Sequence, residues 1–450
     1  MTKEDKSEMS GQKRLGLIIR SAYGAKNAFS PLIGVIEETK WYKENKIKIL
    51  LTEEDPRPQA RQLSERGYNV IILYGLSTLV YLDLRDEIRS VATEYRIVAG
   101  GPHVEGAYWH VLRDGVDIAV VGDGEPALEA IVEYYMGYRE KDDIPNIAFW
   151  DGSRFKVTRI IHIDLDDYKG YSDTMDLYPP IEIMRGCHNT CKFCQVPWLF
   201  KKKVRYRSTW RVLDIARHYI VKGNRRRIRF TAPIGFAYMS PGEGVINHDA
   251  IEEILRGVRR LGGIPFLGSF PSETRPEYID RRVLRIVRKY AGNKKISVGL
   301  QTGSDRLLSS MRRGHSVKQA LDAARLILEE GFVPVIDILF GLPGETEDDV
   351  EATIEVMNKL VELGARLRLH TFMPLPGSPL ALAKPLGMHP RYKRAITRLL
   401  GKGVLEGYWE EQEEWAKKIY CLMASDPAPT PEPSPLYAPE CSTETVSFSS

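Results

Sequence analysis

Three of the five cysteines in this 450-residue chain fall in one short stretch: Cys187, Cys191 and Cys194, spaced C-x-x-x-C-x-x-C. Three thiolates on one loop can hold three corners of a cubane iron–sulfur cluster and leave the fourth iron open. An open iron can bind a substrate or cofactor, which a fully ligated ferredoxin cluster cannot do. Zinc is the rival ligand for this donor set. His188 is adjacent to Cys187, however, and is poorly placed to close the same tetrahedron, and no second C-x-x-C follows to supply a paired knuckle. A ferredoxin module would need a fourth cysteine nearby, and there is none.

Such a loop needs a frame. From residue 179 to 385 the chain repeats strand, loop and helix, with strand candidates at Pro180–Met184, Arg226–Thr231, Ile264–Gly268, Ile296–Leu300, Val333–Leu339 and Ala365–Phe372. This pattern predicts a partial parallel β/α barrel of about six strands with its chemistry at the carboxyl-terminal rim, and the cysteines sit just past the first strand. Residues 14 to 144 form a separate α/β pattern. Short apolar runs at Leu15–Ile19, Val70–Tyr74, Arg96–Ala99 and Asp117–Val121 alternate with helical segments, as in a doubly wound (flavodoxin- or Rossmann-like) domain. Residues 145–178 read as a connector with a hairpin signal at Asp151-Gly152. Residues 386–424 read as a small helical region, and 425–450, rich in Pro, Ser and Thr, as a disordered tail.

Bulk properties narrow the class. The formal net charge of +4 does not argue for nucleic acid. The amino-terminal residues are polar and lack the apolar core of a signal peptide. The most apolar run, Val70–Leu82, is too short to cross a bilayer, so no integral membrane segment and a cytoplasmic, reducing location are expected. The basic clusters Lys201–Lys203 with Arg205 and Arg207, and Arg225–Arg227, are expected to be solvated faces.

The cysteine spacing, with Phe193 ahead of the last cysteine, resembles the signature of the radical S-adenosylmethionine (SAM) enzymes. Four downstream stretches resemble the same family in the same order: Ser269–Arg275, Val298–Asp305 leading to Met311–His315, Phe340–Thr346, and Met373–Leu380. The resemblance implies a 4Fe-4S cluster on Cys187, Cys191 and Cys194. It also implies SAM contacts from Phe193, Ser272, Glu273, Arg275, Gln301, Gly303, Gly341 and Pro343. Hydroxyl, carboxylate and guanidinium groups at 272–275 suit the ribose and amino-acid head of that cofactor. The family's G-G-E segment is missing: Thr231–Phe236 stands in its place, so no residue is assigned to the methionine amino group.

The amino-terminal domain resembles the cobalamin-binding domain that precedes many of these barrels, through Ser77-x-Leu79, Gly100-Gly101 and Gly122-Asp123-Gly124-Glu125. Cobalamin contacts are therefore expected at Ser77, Leu79, Gly100, Gly101, Gly122, Gly124 and Glu125. The D-x-H-x-x-G motif is absent and no histidine precedes His103, so either cobalamin binds base-off without the usual imidazole below, or the domain has lost the cofactor. Together the resemblances imply a radical SAM enzyme, and within that class a cobalamin-dependent methyltransferase acting on an unactivated carbon. A radical enzyme that forms C–C or ring bonds without methyl transfer stays open, as do a non-catalytic cobalamin sensor and an electron-transfer protein. A methylthiotransferase is disfavoured because no cysteine precedes Cys187. The class implies a low-potential electron donor of ferredoxin or flavodoxin type as partner. The substrate is not legible.

Overall fold

The structure, a computed structural model, describes residues 13–24 and 26–428. Cys441 and most of the tail expected to be disordered lie outside the described residues. In the first domain, runs of β-branched and leucine residues form β1 (Leu15–Arg20), β2 (Ile47–Thr52), β3 (Asn69–Gly75), β4 (Arg96–Gly100) and β5 (Ile118–Val120). They pair in parallel in the order β2-β1-β3-β4-β5. Alternate residues serve opposite faces. Leu15, Leu17 and Ile19 pack in one core, and Ile18, Ile72 and Tyr74 in the other. In this strand order the ligand crevice lies between the carboxyl ends of β1 and β3. Ser77 follows β3 there and caps the helix Thr78–Ala92, accepting a 3.3 Å bond from Val80 N–H.

Two features extend this sheet beyond what the sequence patterns show. β2 had no strand assigned to it. The expected connector also supplies β6 (Ile147–Trp150), antiparallel to β5, and β7 (Phe155–Val157), antiparallel to β6, which continue the sheet. Asp151 shapes their turn by accepting bonds from the backbone N–H of Ser153 and Arg154, both at 2.9 Å.

The second domain begins with β8 (Ile181–Glu182). The chain then bends at Ile183 into β9 (Met184–Arg185), which pairs antiparallel with β10 (Arg205–Tyr206). β11 (Arg227–Thr231) lies between β8 and β12 (Ile264–Phe266). β13 (Lys295–Gln301), β14 (Val333–Phe340) and β15 (Arg366–Thr371) form a second parallel sheet, joined to the first by a bridge between Thr274 and Val298. A short strand β16 (Leu405–Glu406) from the carboxyl-terminal region pairs with β15, adding a seventh strand to the partial barrel. Apolar side chains on the outer strand faces pack against the surrounding helices.

One ion-pair network holds the two domains together. Arg185, two residues before the first cysteine, lies 2.8 Å from Asp123, 2.7 Å from Glu125 and 2.7 Å from Glu182. Asp123 also pairs with Arg205. Arg207 is buried beside them and donates to the carbonyls of Glu182 (3.0 Å) and Tyr168 (2.9 Å). The expectation of a solvated basic face therefore fails for Arg205 and Arg207. Burial makes each guanidinium seek an acceptor: Arg205 meets the Asp123 carboxylate of the first domain, and Arg207 meets two backbone carbonyls.

Burial raises the Asp123 carboxyl, but Arg205 and Arg185 outweigh it and hold the group below its ordinary range. A depressed carboxylate adds stability above its unfolded pKa of about 4 and loses it as pH falls further. Asp123→Asn should lower the urea midpoint, since removing one partner of a buried pair costs about 3–5 kcal/mol. The deficit relative to wild type should shrink on acidification below about pH 4. An unchanged midpoint at neutral pH would show that the clamp adds nothing.

Candidate active site

The cysteine loop is tied down at each step. Gly186 has φ +85°, and any side chain there would run into the Lys203 carbonyl, so only glycine lets the chain turn out of β9. Lys192 N–H bonds the Met311 carbonyl at 3.1 Å, and Trp198 donates from Nε1 to the Cys191 carbonyl at 3.1 Å. Phe193 packs beside Leu307, Met311, Leu342 and Phe372, and the Arg313 guanidinium stands 5.7 Å over its ring.

Two arginines converge on one thiol. Arg275 and Arg313 each point Nη1 at Cys191 Sγ, both at 3.2 Å, and both are almost fully buried. Glu277 pairs with Arg275 Nε at 2.5 Å and stands 3.1 Å from His315 Nδ1. Burial pushes the Cys187 thiol up to about 11 and the Cys194 thiol up to about 12. Burial raises Cys191 as well, but Arg313 and Arg275 outweigh it and leave that thiol below its ordinary value. Arg313 Nε is buried with no acceptor among the described residues. Buried cations of this kind suit a site that receives an anionic group. Among the described residues no three His, Cys, Asp or Glu side chains converge on a single-ion site. The corners of a cubane stand farther apart than the ligands of one ion, so that geometry is compatible with a cluster.

The other residues singled out in the sequence are placed as follows. Of Ser272, Glu273 and Arg275, only Arg275 reaches the cysteine loop. Ser272 donates to the Ser269 carbonyl at 3.2 Å, and Glu273 pairs with Arg368 inside the barrel. Gln301 stands at a bulge with φ +87°, its amide beside Gly299 and Arg313. Gly303 packs directly on the helix Glu347–Leu363, and its N–H bonds Thr353 Oγ1 at 2.9 Å. Gly341 N–H bonds Glu345 at 3.1 Å, while Pro343 lies half-buried in the same loop. Asp349 joins the two rim loops: it accepts from Ser304 at 2.5 Å and closes a capping box with Thr346.

In the first domain, Leu79 packs toward Ile419 and Met423 of the helix Trp409–Ser425. Gly100 stands opposite Val120, and Gly122 opposite Asn146. Gly101 has φ +106° and lies against the Leu76 backbone, so its own turn requires a glycine. Gly124 abuts Leu32, and Glu125 is engaged by Arg185. His103 is enclosed between Tyr81, Thr78 and His110. The strand-end residues Ser77, Gly101 and Pro102 are exposed, and Pro102 lies within reach of Gln195 from the second domain. Gln195, next to Cys194, donates to the carbonyls of Pro376 at 2.6 Å and Pro102 at 3.5 Å.

Glu105 and Glu243 were not singled out by any motif. Glu243 accepts a bond from Asn189 within the cysteine loop. Glu105, in the first turn of the helix Pro102–Arg113, makes no ion pair among the described residues. Burial and then Asp123 push it up to about 7, with Lys201, Arg185 and Arg205 pulling the other way.

Residues 181–357 match the family model of the radical SAM superfamily, and this part of the chain is a radical SAM domain, whose cofactors are a 4Fe-4S cluster and SAM. Over most of its length the chain shares its fold with cobalamin-dependent radical SAM enzymes. It superposes on the radical SAM methyltransferase TsrM of Kitasatospora setae with a TM-score of 0.64 at 17% identity, covering 82% of this chain and 75% of that one. With the cobalamin-dependent radical enzyme OxsB the TM-score is 0.60 at 12% identity, covering 92% and 67%. In sequence it is 24% identical to an uncharacterized protein of Methanopyrus kandleri over 63% of this chain and 62% of that protein. It is 30% identical to the tRNA-2-methylthio-N(6)-dimethylallyladenosine synthase of Geobacter sulfurreducens over 40% of each chain. The chain thus spans less than two thirds of the length of these two curated relatives. No helix among the described residues is long and apolar enough to cross a membrane.

Arg313→Gln should reduce the iron retained per chain after anaerobic reconstitution and desalting while leaving circular dichroism unchanged. A charge-assisted hydrogen bond contributes about 1.5–3 kcal/mol. Undiminished iron would remove Arg313 from the cluster site. The raised Glu105 carboxyl predicts a second effect. A group whose pKa rises on folding costs stability as pH climbs from its ordinary 4.5 toward about 7. The melting midpoint of Glu105→Gln should therefore gain on wild type between about pH 5 and about pH 8, and a constant gap would refute the shift.

Proposed function

We propose that this radical SAM enzyme is a cobalamin-dependent methyltransferase acting on a carbon centre. The observation that supports the reading is the bond from Gln195, next to Cys194, to the Pro102 carbonyl among the exposed strand ends of the first domain, at Ser77, Gly101 and Pro102. A cofactor lying on those strand ends would face the reaction site directly. When bound, the cluster supplies the electron that splits SAM into methionine and a 5′-deoxyadenosyl radical, and cobalamin supplies a transferable methyl group.

The chain's own residues orient and shield. Cys187, Cys191 and Cys194 would hold three irons, with Arg275 and Arg313 neutralising the anionic assembly from below Cys191. Phe193, Leu342 and Phe372 form an apolar wall that keeps water from the loop. Gln301, at its bulge, holds its amide beside Gly299 and Arg313. On the cobalamin side, Ser77, Leu79, Gly100 and Gly101 would line the tail pocket, while Glu125 acts through Arg185 to set the position of β9. His103 is held by Thr78 and His110, so no imidazole from it reaches cobalt. Glu105 is placed to hold or release a proton at its carboxyl in the space between the domains.

Methylthio transfer is the second reading, favoured by the likeness to the Geobacter enzyme over 40% of the chain. It lacks support upstream, where residues 1–186 contain no cysteine for a second cluster.

Reconstituted protein should bind hydroxocobalamin close to one per chain, with a base-off spectrum free of nitrogen ligation. Ser77→Trp should exclude it by bulk, whereas Ser77→Ala, which loses only the helix cap, should retain it. Gly101 is unsuitable for this test because its turn needs glycine even without cofactor. Failure of the wild type to bind cobalamin would remove methyl transfer from cobalamin and promote a radical reaction without it.

A further inference from the structure

A closed β/α barrel normally fills its interior with branched apolar side chains. This partial barrel does not. Along β11 the residues Ile228 and Phe230 are buried against the helices, while Arg227 and Arg229 alternate into the hollow and stay exposed. β15 repeats the pattern, with Leu367 and Leu369 outward and Arg368 and His370 inward. The result is a cavity of about 1230 Å³ lined at its cationic side by Arg227, Arg229, Lys294, Lys295 and Arg368. Most of these residues stand near the amino-terminal ends of their strands, whereas the cysteine loop follows the carboxyl end of β8.

Charge in the cavity is unbalanced. Glu406 is the one carboxylate in the lining, and Lys295 lies 3.6 Å from it. Arg368 is engaged by Glu273 and lies 3.3 Å from Asp337. Arg227, Arg229 and Lys294 have no carboxylate partner among the described residues. Three uncompensated cations in one hollow compare with a net charge of +4 for the entire chain. The two guanidiniums are also oriented. Arg227 lies 4.6 Å and Arg229 5.2 Å from the centre of the Phe266 ring, and Arg229 donates to the Phe270 carbonyl at 2.8 Å. At the same cavity Phe270 and Tyr408 leave about two thirds of their surface exposed, at 70% and 67%.

We propose that this cavity binds a diphosphate ester whose organic part is flat or unsaturated. Fixed guanidinium forks match phosphate oxygens two at a time, and a lone carboxylate would leave most of these cations unpaired. The exposed aromatic rings supply the surface for the organic part. Nucleoside and prenyl diphosphates share this chemistry, and the rings accept either. The proposal goes beyond methyl transfer and requires no cluster turnover.

The test is calorimetric titration of the full-length protein with inorganic pyrophosphate, ADP and farnesyl diphosphate at low salt. Pyrophosphate should bind, and one of the organic diphosphates should bind more tightly, identifying the organic part. Loss of one charge-assisted contact in Arg229→Gln should weaken binding about tenfold or more. Arg227→Gln should do the same, and because both side chains face the hollow, circular dichroism should be unchanged. Arg285→Gln is the control. That residue lies on an outer basic patch already paired with Glu330 at 3.2 Å, and its loss should leave binding intact. No binding of any probe would overturn the site, as would equal weakening by Arg285→Gln. Organic diphosphates no tighter than pyrophosphate would overturn the assignment of the rings. Each readout is independent of cobalamin, so failure here and failure of the methyltransferase reading are separate results.

Discussion

The position of Arg185 depends on carboxylates that lie far from it in sequence. It sits in the strand that leads into the cysteine loop, yet two of its partners, Asp123 and Glu125, belong to the first domain. A buried guanidinium is stable only where its charge and its planar donors are matched together. The loop is thereby registered against the first sheet, and the space between strand ends and cysteines takes a defined width. The G-D-G-E turn brings the two carboxylates to one place, with Asn146 fixing the Asp123 carbonyl at 2.9 Å.

A similar division of labour marks the rim. Asp349 secures Ser304 and Thr346, so the loops after β13 and β14 move as one piece. Met311 and Arg313 reach back to the cysteine loop through a backbone bond and a guanidinium. Several residues in the family-like stretches therefore stabilise the surface against which a cofactor would lie. Chemistry and scaffolding share short segments because each segment spans the distance from helix cap to rim.

What could be read from the chain follows from distance along it. The cysteine loop was legible because its ligands are neighbours, and the strand–helix alternation was legible because hydrophobic period is local. Ile47–Thr52 escaped because Lys48 and the charged residues before it obscure a short buried run. β16 has only two residues, too few for any period. The pairing of Glu273 with Arg368, from a strand 95 residues later, is one that no local pattern encodes. Arg205 and Arg207 sat in a run of positive charge that reads as surface, and only the fold reveals their distant acceptors. Glu105 carries no motif at all; its altered proton affinity arises from burial and from the nearby Asp123.

The helix Trp409–Ser425 ends against the first domain. Trp109 and His110 both donate toward the Asp426 carbonyl, the former across 317 residues of chain, and Ile419 and Met423 cover Ala107 and Trp109. The order of synthesis therefore runs opposite to the order of closure. The first sheet leaves the ribosome early with an apolar flank that its own sequence cannot cover. That flank stays open until the last described helix arrives, and exposed apolar surface in a waiting domain invites misassembly. A chain that stops short of Trp409 is therefore expected to leave Ala107 and Trp109 uncovered.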